Sequence, residues 1–138
     1  MVLLGRLGAP HSCWHRKYPC FPGVDECVRL IRAGKARGSW ADIISYELAE
    51  NADDCLPALI DTFRSDSSDK VRLYVMMALE IARLQESVPF LAEVLRGANP
   101  RFTPYAERTL HGINTREART VLWKASHPES DTSPDNNV

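Results

Sequence analysis

Residues 56–82 read LPALIDTFRSDSSDKVRLYVMMALEIA. Leu56, Leu59, Ile60 and Phe63 fall at i, i+3, i+4 and i+7, the spacing of one apolar stripe along an α-helix. Val71, Val75, Leu79 and Ala82 form a second stripe. Between them, the polar run Asp66 to Asp69 is turn chemistry, and Ser68 can accept an orphan N–H at the start of the second helix. The stretch is therefore a pair of amphipathic helices joined by a short turn.

The same pattern extends in both directions. Val88, Leu91, Val94 and Leu95 form a stripe, as do Phe102, Ala106, Leu110 and Ile113. Upstream, Trp40, Ile44 and Leu48 mark one helix, preceded by Val24, Cys27, Val28 and Ile31; Ala118, Val121, Leu122 and Ala125 mark the last. Seven helices are predicted, at about 24–34, 39–51, 55–65, 69–84, 87–97, 102–113 and 115–125. No stretch alternates with β-branched enrichment, so no strand is predicted. Ser39 with Asp42 and Asn114 with Glu117 have capping-box spacing or a close variant. Ser87 and Asn99 are further N-cap candidates, and Pro100 suits a first turn. Pro104 should delay or bend the start of its helix, and Gly34, Gly38 and Gly97 are expected to close helices in the left-handed conformation.

The stripes recur at a fixed interval. Trp40, Val71 and Phe102 are 31 residues apart, as are Ile44, Val75 and Ala106, and Leu48, Leu79 and Leu110; in the preceding helices Ile31, Phe63 and Leu95 are 32 apart. Two helices per unit at such a period indicate an α-solenoid, because one pair cannot bury its apolar face alone. The fold expected is all-α: about three helical pairs in a right-handed stack, plus a C-terminal capping helix.

Leu56-Pro57-Ala58-Leu59-Ile60, followed by Asp69-Lys70-Val71-Arg72 and Ala78-Leu79, resembles the short HEAT-like repeat, also called the phycobilisome-lyase-like HEAT repeat. Its pattern is L-P-x-L in the first helix and D-x-V-R-x-x-A-A-x-A-L in the second. The unit from Val88-Pro89-Phe90-Leu91 through Phe102 to Leu110 is a degenerate copy, and the unit containing Trp40 to Leu48 matches only at its apolar positions. The resemblance implies a HEAT-like repeat domain at 24–125, usually a protein-binding scaffold, between an N-terminal extension at 1–23 and a polar tail at 126–138. Both flanks are expected to be poorly ordered or disordered.

Composition narrows the function. Seventeen Lys and Arg against eighteen Asp and Glu give a net charge of -1, without the basic excess of a nucleic-acid binder, so no nucleic-acid partner is expected. No apolar run reaches the roughly 18–20 residues of a membrane span. Met1 to Pro10 is too short and interrupted to read as a signal peptide, so the expected location is cytoplasmic.

Chemistry-bearing residues are sparse. His11, Cys13, His15, Cys20 and Cys27 are of zinc-ligand type, but they lack a C-x2-C pair, and no metal is expected there. Cys55 reads as a small buried hydrophobe. Deoxyhypusine hydroxylase, a HEAT-like enzyme, holds a di-iron site with repeated His-Glu pairs; here His11, His15, His111 and His127 are followed by Ser, Arg, Gly and Pro. HEAT-like DNA glycosylases need a basic concave surface. That departure argues against either activity, and neither catalytic residues nor a cofactor are expected.

The second helices carry the candidate surface. With Trp40, Val71 and Phe102 equivalent, the outward positions are Asp42, Ile43, Tyr46 and Glu50, then Leu73, Tyr74, Met77 and Ile81, then Pro104, Tyr105 and Arg108. The resemblance places second helices on the concave side. Tyr, Met and Arg are types enriched at binding surfaces. The expected partner-binding residues are Tyr46, Leu73, Tyr74, Met77, Tyr105 and Arg108, with Tyr74 and Met77 as anchors and Arg108 pairing with a carboxylate of the partner. The alternative is that the stack buries this face against a flanking helix. A second candidate is the acidic stretch 42–69, eight acids against one base, around Asp53, Asp61 and Asp66. The function expected is a non-enzymatic protein-binding scaffold or adaptor, such as a bacterial immunity-type binder. The alternative is an accessory subunit in tetrapyrrole (phycobilin) attachment. A short solenoid has two open ends, and the last helix with Trp123 either caps one or makes a dimer contact.

Overall fold

The structure, a computed structural model, describes residues 21–34 and 39–128, with the side chains of 39–42 left aside. The expectations for His11, Cys13, His15, Cys20, Gly38, the side chains of Trp40 and Asp42, and most of both flanking segments lie outside those residues. The described residues form seven α-helices and no strand: α1 Val24–Arg32, α2 Ser39–Glu50, α3 Ala52–Ser65, α4 Asp69–Ala82, α5 Val88–Gly97, α6 Thr103–Ile113 and α7 Arg116–Ser126, with a 3-10 turn at Gln85–Ser87. No helix among them is long and apolar enough to cross a membrane. The described chain divides between Ala78 and Leu79, within α4, into two compact units.

In the first unit α1, α2 and α3 pack on one another. Their buried residues include Cys27, Leu30 and Ile31, then Ile44 and Leu48, then Leu56 and Leu59. In the second unit α5, α6 and α7 pack mutually around Leu91, Val94, Phe102, Ala106, Leu110 and Ala118. Burial follows the 31-residue period: Ile44, Val75 and Ala106 are buried, and so are Leu48, Leu79 and Leu110.

Three prolines sit where a missing N–H costs little. Pro89 and Pro104 lie in the first turns of α5 and α6, so α6 begins at Thr103 rather than 102. Pro57 falls inside α3, but Cys55 is non-helical there (φ -117°, ψ 21°), so the continuous helix starts after Cys55, close to the predicted start at 55. Asn51 Nδ2 donates to the Glu47 carbonyl at 2.8 Å and Cys55 Sγ to the Asn51 carbonyl at 3.0 Å across this junction.

Several caps are shifted by one residue from expectation. Gly34 takes the left-handed conformation (φ 74°), but Gly97 stays helical and Ala98 is left-handed instead (φ 54°). For an L residue this costs roughly 1–2 kcal/mol. Asn114 does not open α7. It closes α6 in the left-handed region, and Thr115 Oγ1 accepts the Ala118 N–H at 3.2 Å as the true N-cap. Ser87 Oγ makes no cap and donates to the Leu84 carbonyl at 2.7 Å. Pro100 lies in the turn before α6. The last helix, expected at 115–125, spans Arg116–Ser126, and His127 stacks on Trp123.

The turn between α3 and α4 is built on Asp66. Its side chain is buried, accepts the Ser68 N–H at 2.8 Å and pairs with Arg32 at the end of α1. Ser68 Oγ then accepts the Val71 N–H at 3.3 Å, as predicted for an N-cap. Arg72 Nε donates to the Phe63 carbonyl at 3.0 Å, closing α3. Burial pushes the Asp66 carboxyl up. The hydrogen bonds from Arg32 and the Ser68 N–H, with the charges of Arg32 and Arg72, outweigh burial and hold it below its ordinary 3.8.

Two outcomes are expected. Leu79→Ala should cost about 2–5 kcal/mol in denaturant unfolding, the range for cavity-forming core changes; a cost below about 0.5 kcal/mol would refute the core register. Asp66→Asn should destabilise by about 1 kcal/mol or more at neutral pH. Because the folded-state value is lowered, the carboxylate's contribution is complete above the unfolded value and is lost as pH falls through the folded one. The gap between wild type and variant, followed by thermal melts, should therefore close below about pH 4.

Candidate functional site

The structure separates the predicted surface residues by their place on the helix. On α4, Val71, Tyr74, Val75, Met76, Ala78 and Leu79 are all buried. At about 100° per residue these positions cover an arc of roughly 200°. Leu73 and Met77 are half-buried beside that arc, and Ile81 is 40% exposed. Tyr74 lies on its edge and is only 7% exposed, so it is a core residue rather than an exposed anchor. The sequence held the signal: a helix apolar on nearly every side is a buried helix. On α2, Tyr46 projects outward at 57% exposure.

In the second unit Tyr105 and Arg108 meet as parts of one cluster. Arg108 Nε donates to Glu80 Oε2 at 2.8 Å and Nη2 to Glu80 Oε1 at 3.2 Å. The same guanidinium lies over the Tyr105 ring, 4.7 Å from its centroid. Arg108 was expected to reach for a partner's carboxylate; its fork is instead engaged by Glu80 within the chain. The pair is largely exposed, so it contributes little to stability. Its effect is to fix a Tyr–Arg surface with a long side chain already ordered; Ile81, the residue after Glu80, is exposed on the same helix. Glu80 escaped the sequence reading. Arg108 holds the place of Met77 in the repeat, and Glu80 lies one turn beyond Met77, which is the register that pairs them.

Of the acidic candidates, Asp53 and Asp61 are exposed, whereas Asp66 is buried in the α3–α4 turn and presents no charge to a partner. The two thiols among the described residues, Cys27 and Cys55, are quiet. Burial first, then the charges of Glu47, Cys55 and Glu26, push the Cys27 thiol up to about 12. Burial, with Asp54 and Asp53 nearby, pushes Cys55 up to about 11. Both are protonated at neutral pH and poor nucleophiles. Cys55 is half-buried rather than fully buried, and His111 is exposed. Among the described residues no group of three or more His, Cys, Asp or Glu side chains could hold a metal ion.

Comparison with models of known protein families, with curated proteins and with solved structures returns no match.

Tyr74→Ala should lower the melting temperature by roughly 10–20 °C, reflecting a core loss of about 3–5 kcal/mol. A melt indistinguishable from wild type would return Tyr74 to the surface.

Proposed function

We propose that this chain is a short α-solenoid of HEAT-like helical pairs that binds a protein partner without catalysis. The observation that carries the reading is the ordered Glu80–Arg108–Tyr105 cluster, with Ile81 exposed on the same helix as Glu80. Association normally costs side-chain entropy at each immobilised residue, and a guanidinium already locked by a carboxylate and an aromatic ring has lost that freedom beforehand. Tyr and Arg are also the types that dominate binding energy at interfaces. The 31-residue recurrence of buried positions supports the solenoid, since equivalent residues then line equivalent helices.

The test is affinity purification with four baits, each confirmed folded: wild type, Ile81→Glu, Tyr105→Ala and, as a surface control, Arg96→Glu. One protein should be retained stoichiometrically by wild type and Arg96→Glu and lost with the other two. Measured with that partner, Tyr105→Ala should weaken binding by about 2 kcal/mol, roughly thirtyfold. A partner indifferent to Ile81 and Tyr105, or none at all, would sink the reading. A copurifying chromophore with visible absorbance would replace it with tetrapyrrole binding.

A further inference from the structure

Helix α7 packs through Ala118 against the second unit and leaves its other side in solvent. At about 100° per residue, Arg116, Arg119, Thr120, Trp123, Lys124 and His127 fall on one side of it, and all six are exposed. Trp123 is 52% exposed, and it is held rather than loose. Its ring stacks on His127 with centroids 4.2 Å apart and planes 14° apart, and His127 Nδ1 lies 2.8 Å from the Trp123 carbonyl oxygen. Arg119 donates to the Asn114 carbonyl at 2.9 Å, which fixes the side chain and keeps its charge. The only acid on this helix, Glu117, lies at the margin of the stripe. An ordered exposed tryptophan flanked by three cations is not a solubilising surface.

The complementary surface is on the same chain. Helix α3 exposes Asp53, Asp54 and Asp61, with the uncharged Pro57 and Ala58 also exposed between them; its one base is Arg64. The charge is polarised along the sequence: residues 42–69 carry eight acids and one base, whereas 70–124 carry nine bases and five acids. The total is only -1, so copies of the chain repel one another weakly while their unlike surfaces attract.

We propose that the Arg116–Arg119–Trp123 stripe of α7 docks on the exposed acidic surface of α3 in a second copy of this chain. Trp123 would lie on the Pro57–Ala58 step. Arg119, one turn before Trp123, and Lys124, beside it, would meet Asp54, at the kinked start of α3, and Asp61, one turn after that step. The two surfaces differ, so each contact is heterologous, joining α7 of one copy to α3 of another. This surface is separate from the Tyr105–Arg108 cluster and does not depend on that cluster's role.

The test uses the full chain in sedimentation velocity over a concentration series, at roughly 20 mM and roughly 500 mM salt. The average mass should rise with concentration at low salt and fall back toward the monomer at high salt. Arg116→Glu/Arg119→Glu, Asp54→Lys/Asp61→Lys and Trp123→Ala should each weaken self-association at least tenfold with an unchanged melting temperature. Mixing the two charge-reversed proteins restores unlike charge at the contact, so the mixture should associate where each protein alone does not. If a charge variant melts early, Trp123→Ala alone carries the comparison. A chain monomeric at every concentration, association indifferent to Trp123→Ala, or a mixture that stays monomeric would overturn the proposal. So would a monomer whose stripe binds a short oligothymidylate through Trp123, which would assign the stripe to single-stranded nucleic acid.

Discussion

Asp66 is buried where three pieces of chain meet, and each of its contacts sets the position of one of them. The Arg32 pair ties the end of α1 to the turn, the Ser68 N–H bond bends the chain into α4, and Ser68 Oγ in turn receives the Val71 N–H. A buried carboxylate without such partners would cost several kcal/mol. With them it is a fixed point from which α4 departs in one register. Arg72, one turn into α4, reaches back to the Phe63 carbonyl, so the end of α3 is closed by the helix that follows it. The corresponding turn of the second unit uses a weaker version of the device: Asn99 Oδ1 accepts the Arg101 N–H at 2.9 Å, a neutral bond on an exposed side chain.

The exposed surfaces follow from how much of each helix the packing consumes. Where a helix is buried over a wide arc, as α4 is, few of its apolar residues remain to meet a partner. Where it is buried through a narrow strip, as α7 is through Ala118, large residues such as Trp123 remain outside. The chain then limits the entropy of what it exposes, by ring stacking at Trp123–His127 and by an ion pair at Glu80–Arg108.

All seven helices were legible in the sequence, because their stripes are spaced by backbone geometry and punctuated by proline and polar residues. The buried positions 31 residues apart were legible for the same reason. Cap identities slipped by one residue, at Ala98 and Thr115, because local hydrogen bonding decides between adjacent candidates and periodicity does not. The surface was read less well. A period fixes which residues are equivalent, but the width of the buried arc depends on what packs alongside, and that moved Tyr74 inside. Pairings across helices, such as Arg108 with Glu80 or Arg32 with Asp66, join residues far apart in sequence and leave no local mark.

Cys27 gives the first unit a clock of its own. While α1 is seated, the thiol is enclosed and protonated far above neutrality, so alkylating reagents find neither access nor thiolate. Each time α1 lifts away, an ordinary thiol meets solvent and can be trapped. Where α1 opens while the other helices stay packed, the trapping rate at Cys27 counts those openings. It separates the breathing of the first unit from the global unfolding that a melt records.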